Sequence, residues 1–176
     1  GKDAVSWLDK IVDGFTVSED DWTIPLQAYL DACRKYMAPG WVWWIERPIS
    51  LDKLNPPEEM FGTADFVAYN AKLQLLVVVD LKFGRGVGVK AEGSPQLKYY
   101  ALGAFLGLPD DMHVKRIKGV IVQPRIPYGE PIKTTEFDPL ELIEWSVWLL
   151  EKVNVCLSPD AEYVAGPHCK FCAKSG

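Results

Sequence analysis

The sequence has few of the features that mark membrane proteins or strongly basic proteins. Its uninterrupted apolar runs, of which none is longer than Leu75 to Val79, are far shorter than the stretch of about 20 apolar residues that a membrane-spanning helix needs. No signal peptide is visible. Lysine and arginine number 19 against 24 aspartates and glutamates, so the formal net charge is −5. We therefore expect a cytoplasmic protein that has no membrane partner and does not bind nucleic acid through overall positive charge.

Hydrophobic residues make up 48% of the 176 residues, which is enough to form a hydrophobic core. We expect one compact domain over residues 1–176, with a cysteine-containing tail over residues 155–176. Apolar spacing and turn residues predict helices over 3–12 and 22–37, strands over 41–49, 61–69 and 72–83, a helix from Pro95 to Gly107, a strand over 114–124 and a helix from Asp138 to Asn154. This order predicts the α/β class, with a mixed central β-sheet flanked by helices.

The most apolar predicted strand ends in an acidic and a basic residue. Residues two apart in a strand point to one face, so Asp80 and Lys82 share a face. Asp65 lies near the start of the preceding strand, which a hairpin returns to the same end of the sheet. A strict two-residue turn at 70–71 places Asp65 opposite residue 76, whereas a longer loop or a bulge brings it nearer to Asp80.

Two carboxylates at one sheet edge favour a hard divalent cation between them. Asp65, Asp80 and the backbone carbonyl of Leu81 are therefore candidate ligands for Mg²⁺. Lys82 is placed to orient an attacking water or to stabilise charge on a phosphate. Asp-x-Lys alone is common, so the competing interpretation is a solvated hairpin edge with an Asp80–Lys82 ion pair.

Gln96 and Tyr100 lie four apart on the next predicted helix and share one face, where they could hold a base or a phosphate or simply pack. Three motifs follow in order: Gly62-Thr63-Ala64-Asp65, Asp80-Leu81-Lys82 and Gln96-x-x-x-Tyr100. They resemble motifs II and III and the QxxxY element of RecB-like nucleases in the PD-(D/E)XK superfamily. The string "DLKFGRGVGVKAEGSPQLKYYALGA" is similar to a group of phage-encoded RecB-type exonucleases.

The resemblance covers roughly residues 20 to 172 and is specific as a set of motifs. It implies a restriction-endonuclease-like core and hydrolysis of DNA phosphodiester bonds that depends on Mg²⁺ or Mn²⁺. It makes Asp65 and Asp80 the metal ligands, Lys82 the catalytic lysine, and Gln96 and Tyr100 substrate-contacting residues.

The sequence departs from this family pattern at motif I. RecB-type nucleases carry a motif I His on an N-terminal helix, whereas His113 and His168 both lie far downstream. The resemblance implies that the motif I helix precedes residue 1, so the sequence lacks one metal ligand. Glu46 aligns with a Glu common in these nucleases and is a candidate metal contact, with an ordinary solvent-facing strand residue as the alternative.

Basic residues near the candidate site suit the phosphate backbone of DNA. Arg85, Lys90 and Lys98 flank it, and glycines at 84, 86 and 88 permit close approach of the backbone to a ligand or a mobile loop. A flexible connection with solvated charges is the alternative interpretation.

Four cysteines raise the question of a second metal centre. Some relatives of these nucleases close the domain with an iron–sulfur cluster held by one upstream and three C-terminal cysteines. Cys169 and Cys172 have a spacing that suits a [4Fe–4S] cluster or Zn²⁺, and Cys156 and Cys33 are candidates for further ligands. Cys33 lies on an apolar helix face, where cysteine usually packs, so free thiols are the alternative.

Together with the candidate metal site, the resemblance to these nucleases implies a metal-dependent deoxyribonuclease, an exonuclease rather than an endonuclease. Its expected partners are DNA and a phage recombination or replication protein, in the cytoplasm of a bacterial host. A non-catalytic nucleic-acid-binding or partner-binding domain with the same fold is the alternative. A sequence-specific endonuclease on the same core is a third option.

Overall fold

A five-stranded mixed sheet forms the centre of the protein, and the computed structural model describes residues 3–85, 87–166 and 169. Its strands, in both chain order and spatial order, are β3 (Trp41–Ser50), β4 (Phe61–Asn70), β5 (Leu75–Leu81), β6 (Arg116–Val122) and β7 (Ile132–Phe137). Strands β5 and β6 are parallel, and the other neighbours are antiparallel. The helices are α1 (Ile24–Arg34), α2 (Pro95–Leu106) and α3 (Pro139–Leu157). The predicted α/β class, with a mixed central sheet flanked by helices, is confirmed.

Helices cover both faces of the sheet. Ala32 and Cys33 of α1 pack on one face in a cluster with the odd-numbered residues of β5. Leu97 and Leu102 of α2, together with Leu142 of α3, belong to the cluster on the other face. Because β5 has a strand on each side and helices above and below, residues 75–80 are all buried, which explains their apolar sequence.

Helix α2 makes the crossover between the parallel strands β5 and β6. It begins as predicted, with Pro95 in its first turn and the Ser94 hydroxyl accepting a hydrogen bond from the backbone N–H of Leu97 at 3.3 Å. Helix α3 begins with a capping box in which Asp138 and Glu141 each accept a backbone hydrogen bond. In the part of the chain that the structure describes, no helix combines the length and apolar character of a membrane-spanning segment.

The structure differs from the prediction in three places. The helix predicted over 3–12 is wrong: a short 3-10 helix, Ala4–Trp7, is followed by a ribbon of β1 (Ile11–Val12) and β2 (Phe15–Thr16). Asp13 and Gly14 both have positive φ, so the Asp-Gly pair makes a hairpin turn that outweighs the helical apolar spacing.

The other two differences concern the hairpin turn and the last strand. The β4–β5 hairpin turns over residues 71–74 rather than over residues 70–71. Strand β7 was not predicted, because its polar alternating sequence follows a proline- and glycine-containing loop. It pairs with β6 and completes the sheet on the side away from β3.

Candidate active site

The strand register brings Asp65 next to the end of β5. Regular pairing of β4 with β5 stops at Phe66 and Val79, and the same register continued by one step sets Asp65 opposite Asp80. The backbone N–H of Leu81 donates to Oδ2 of Asp65 at 2.6 Å, so the carboxylate takes the place of a strand-to-strand bond. The four-residue turn explains this register, because each residue added to the turn shifts the pairing along β5.

Asp80 is a buried carboxylate, only 3% exposed. The Nζ atom of Lys82 lies 2.7 Å from its Oδ2 and donates a hydrogen bond to its Oδ1 at 3.1 Å. Burial raises the pKa of the Asp80 carboxyl, Lys82 opposes part of that rise, and the nearby Asp65 carboxylate adds to it. The site therefore holds two carboxylates beside one ammonium group.

A chain of side-chain hydrogen bonds extends from Asp80 onto α2. Lys82 donates to Oε1 of Gln96 at 2.6 Å, and Nε2 of Gln96 donates to the hydroxyl of Tyr100 at 3.1 Å. The period of two along the strand puts Asp80 and Lys82 under α2, and the spacing of four puts Gln96 and Tyr100 on the helix face above them. The structure thus joins four residues from two separate motifs.

Two glycines set the distance between α2 and the sheet. A Cβ atom at Gly103 would lie 2.9 Å from the Cβ of Ile49, closer than carbon atoms pack, so the helix backbone rests directly on β3. A Cβ atom at Gly62 of β4 would lie 3.3 Å from the ring of Tyr100. Both contacts need glycine for close approach, and both fix the helix that carries Gln96 and Tyr100.

Glu46 lies beside this site in an irregular part of β3. It falls between the pairs Ile45–Phe66 and Arg47–Ala64, which places it opposite Asp65 in the register. Its φ of +48° is left-handed, a conformation that costs a non-glycine residue about 1–3 kcal/mol. The side chain is exposed. The sequence predicted a regular strand here, and nothing in the local sequence signals the irregularity.

The three basic residues predicted to flank the site point in different directions. Arg85 makes an ion pair with Asp21, in the π-helical turn Glu19–Thr23. The ammonium group of Lys98 lies over the ring of Trp145 in α3, at 5.9 Å from the ring centre, and therefore away from Gln96. Lys90 is exposed in the loop before α2.

Gln123, which the sequence analysis missed, anchors the glycine-rich loop between β5 and α2. This buried side chain accepts from the backbone N–H of Val89 at 2.8 Å and donates to the carbonyl of Val87 at 2.9 Å. Lys133 of β7 donates to the carbonyl of Val89 at 2.8 Å. The sequence signal for Gln123 is a polar residue directly after the apolar run Val120–Val122, as Asp80 follows the run Leu75–Val79. These contacts tether the loop from two strands.

The cysteines do not converge within the described residues. Cys33 is buried in the α1 cluster, and burial raises the pKa of its thiol to about 11, which disfavours the thiolate that a metal requires. Cys156 is exposed on α3, and Cys169 accepts a hydrogen bond from the backbone N–H of Gly166 at 3.4 Å. Cys172 lies outside the described residues.

The donors near Asp80 suit a hard cation in their chemistry. The carboxylates of Asp65 and Asp80 and the backbone carbonyl of Leu81 offer only oxygen, as Mg²⁺ and Mn²⁺ prefer. Lys82 contacts both oxygens of Asp80, so it would compete with an ion for the same lone pairs. Over residues 3–85, 87–166 and 169, no three His, Cys, Asp or Glu side chains are grouped so as to hold a metal ion.

Comparison with known proteins gives a family match and a remote structural similarity. The sequence model of a family described as "Protein of unknown function (DUF2800)" matches residues 27–175. A solved structure described as "Crystal structure of SSO0001" is similar over 71% of this chain, with 17% identity and a TM-score of 0.33. The match covers 56% of that chain, so this protein spans a little over half of its length.

Proposed function

The chain belongs to the DUF2800 family, and we propose that it is a RecB-like nuclease that hydrolyses DNA phosphodiester bonds with the help of a divalent cation. One observation carries the proposal: Asp80, Lys82, Gln96 and Tyr100 form a continuous hydrogen-bonded chain, with Asp65 at the adjoining position of the next strand. A carboxylate pair can hold a divalent cation that polarises a phosphate, and a lysine beside it can stabilise the charge that develops there, which supports phosphodiester hydrolysis.

Each residue has a defined part in this proposal. Asp65, Asp80 and the Leu81 carbonyl would hold Mg²⁺ or Mn²⁺, which supplies Lewis-acid polarisation of the phosphate when it is bound. Lys82 stabilises the negative charge that develops on the phosphate or orients the attacking water. Gln96 holds the Lys82 ammonium in position through its 2.6 Å hydrogen bond, and Tyr100 fixes the amide of Gln96.

The resemblance to phage-encoded exonucleases supports the finer assignment. We propose exonucleolytic cleavage, a role in phage recombination or replication, and DNA as the partner, in the cytoplasm of an infected bacterial cell. Glu46 is a further candidate contact for the cation, because it lies opposite Asp65 in the strand register.

A non-catalytic binding domain is the second candidate. It is favoured by the ion pair itself, because Lys82 already neutralises much of the charge of Asp80. It is also favoured by the lack of a third clustered metal-binding side chain among the described residues. Under this alternative the chain binds DNA or a protein without turnover, and substitutions at Asp80 leave binding intact.

Cleavage of end-labelled linear DNA with Mg²⁺ or Mn²⁺, beside the same assay on covalently closed circles, tests the proposal. Asp80→Asn should lower the rate at least about 100-fold, the usual effect of removing an electrostatic stabiliser. Asp110→Asn is the matched control, because Asp110 is fully exposed and pairs only loosely with Lys53 at 3.9 Å. Cleavage of the linear DNA without cleavage of the circles indicates an exonuclease, and cleavage of the circles indicates an endonuclease. Undiminished cleavage by Asp80→Asn would refute the assignment.

A further inference from the structure

Two aromatic rings and an arginine are stacked at the residue that follows Lys82. The ring of Phe83 stacks on Trp22 with 5.3 Å between ring centres and 27° between planes. The guanidinium of Arg125 lies over Phe83 at 4.8 Å from the ring centre. Trp22 remains 41% exposed, so much of the largest aromatic surface in this stack is open to solvent.

Asp21 holds the charged members of the stack in place. Its carboxylate accepts from Arg125 at 3.2 Å and also pairs with Arg85. The Arg125 side chain is 19% exposed, and its enclosed Nε has no hydrogen-bond partner in the part of the chain that the structure describes. The Arg85 side chain is 63% exposed. The guanidinium of Arg125 is thus held within the stack, and that of Arg85 is accessible from solvent.

The stack is close to the candidate active site along the chain. Phe83 is three residues beyond Asp80, so their Cα atoms are at most about 11 Å apart. That separation corresponds to at most about three nucleotides of a strand, at the B-form rise of about 3.4 Å per nucleotide. Unpaired bases bind proteins by stacking on aromatic rings and on arginine, while duplex bases are already stacked on each other.

From this arrangement we propose that Trp22, Phe83 and Arg125 form a platform that binds one unpaired base of a DNA strand beside the catalytic carboxylates. Arg85 contacts a neighbouring phosphate of the same strand. The inference deepens the proposed function, on which it rests for the choice of DNA, and makes a single-stranded end the substrate. A purely structural role, in which Trp22 only fastens the π-helical turn to the end of β5, is the competing explanation.

Binding of a 5′-fluorescein-labelled thymidine 20-mer, measured by anisotropy in EDTA so that no cleavage occurs, tests the platform. Trp22→Leu keeps an apolar side chain against Phe83 but removes the large ring, and should weaken binding about 5- to 100-fold. Trp22→Phe should restore most of the affinity. Trp148→Leu is the matched control, since Trp148 is 48% exposed on α3.

An abasic scan separates base stacking from packing. The 20-mer is resynthesised with a single abasic site at each position in turn, and each strand is bound to the wild type and to Trp22→Leu. The wild type should lose affinity at one position near the end, and Trp22→Leu should lose none there. The platform would be overturned if the wild-type affinity did not depend on the position of the abasic site, or if both proteins lost the same affinity at the same position. It would also be overturned if the wild type did not bind the 20-mer.

The two proposals can fail separately. A wild type that cleaves linear DNA but gives a flat abasic scan keeps the nuclease assignment and loses the platform. A wild type that shows the position-specific loss but never cleaves with Mg²⁺ or Mn²⁺ keeps the platform and loses the nuclease assignment.

Discussion

Replacing Gly103 with alanine should lower both stability and activity through one contact. The new Cβ atom would lie 2.9 Å from the Cβ of Ile49 and 2.9 Å from its Cδ1. Truncating Ile49 to alanine would not relieve the first contact, because that Cβ atom would remain. Helix α2 therefore has to move away from β3.

The change in the free energy of unfolding follows from two opposing contributions, helix propensity and overpacking. Alanine is favoured over glycine inside a helix by about 1 kcal/mol. Overpacking a core costs about 1–3 kcal/mol, and a rigid clash between two Cβ atoms belongs at the upper end of that range. We expect a net loss of about 1–2 kcal/mol, or about 2–8 °C in Tm for a chain of this size.

The activity should fall as well, because Tyr100 lies one turn before Gly103 on the same helix face. A shift of α2 lengthens the hydrogen bond between Gln96 and Lys82, now 2.6 Å. A misplacement of about 1 Å can cost up to about 100-fold in rate. Cleavage should therefore fall at temperatures at which Gly103→Ala is still folded.

Thermal unfolding followed by circular dichroism, together with the end-labelled DNA assay, measures both effects. Gly84→Ala is the control, since a Cβ atom there meets nothing within 4 Å. A Gly103→Ala protein that melts at or above the wild-type temperature would show that α2 has room to spare, and the argument from close approach would be wrong.

Three further predictions concern the charged and polar groups around β5. Lys82→Met should bind Mn²⁺ at least about tenfold more tightly than the wild type, a difference of about 1.4 kcal/mol, because the competing ammonium group is gone. Titration calorimetry measures the affinity, and unchanged or weaker binding would contradict the proposed ion position. Asp80→Asn should gain stability relative to wild type as the pH rises above about 4, because the raised pKa of Asp80 makes its ionised form costly when folded. A stability difference between the two proteins that is constant from pH 3 to 8 would refute this. Gln123→Leu should cost about 1–3 kcal/mol and speed hydrogen exchange at the Val89 amide, whereas protection equal to wild type would show that the tether is dispensable.

The sequence predicts those parts of the site that depend on spacings of two residues in a strand or four residues in a helix. The period of two places Asp80 and Lys82 on one face, and the Ser94-Pro95 pair fixes where α2 begins. The spacing of four then aligns Gln96 with Tyr100. The continuous apolar run likewise identifies β5 as a central strand, because such runs require cover on both faces.

Other parts depend on contacts between distant residues, which local patterns do not encode. The position of Asp65 along β5 depends on whether the hairpin turn has two residues or four. The contact of Arg125 with Asp21 spans 104 positions, and each residue alone looks like an ordinary surface charge. The left-handed φ of Glu46 likewise has no sequence signal, since glutamate rarely adopts it.

The parallel pairing of β5 with β6 has a consequence for synthesis of the protein. The backbone N–H of Lys82 bonds to the carbonyl of Val122, so β5 gains its second neighbour only after about forty more residues have been made. A nascent chain that stops before β6 can pair β3, β4 and β5, but the second edge of β5 then has no partner strand. Until β6 is made, that edge presents unpaired backbone N–H and C=O groups, which can pair with a strand of another chain.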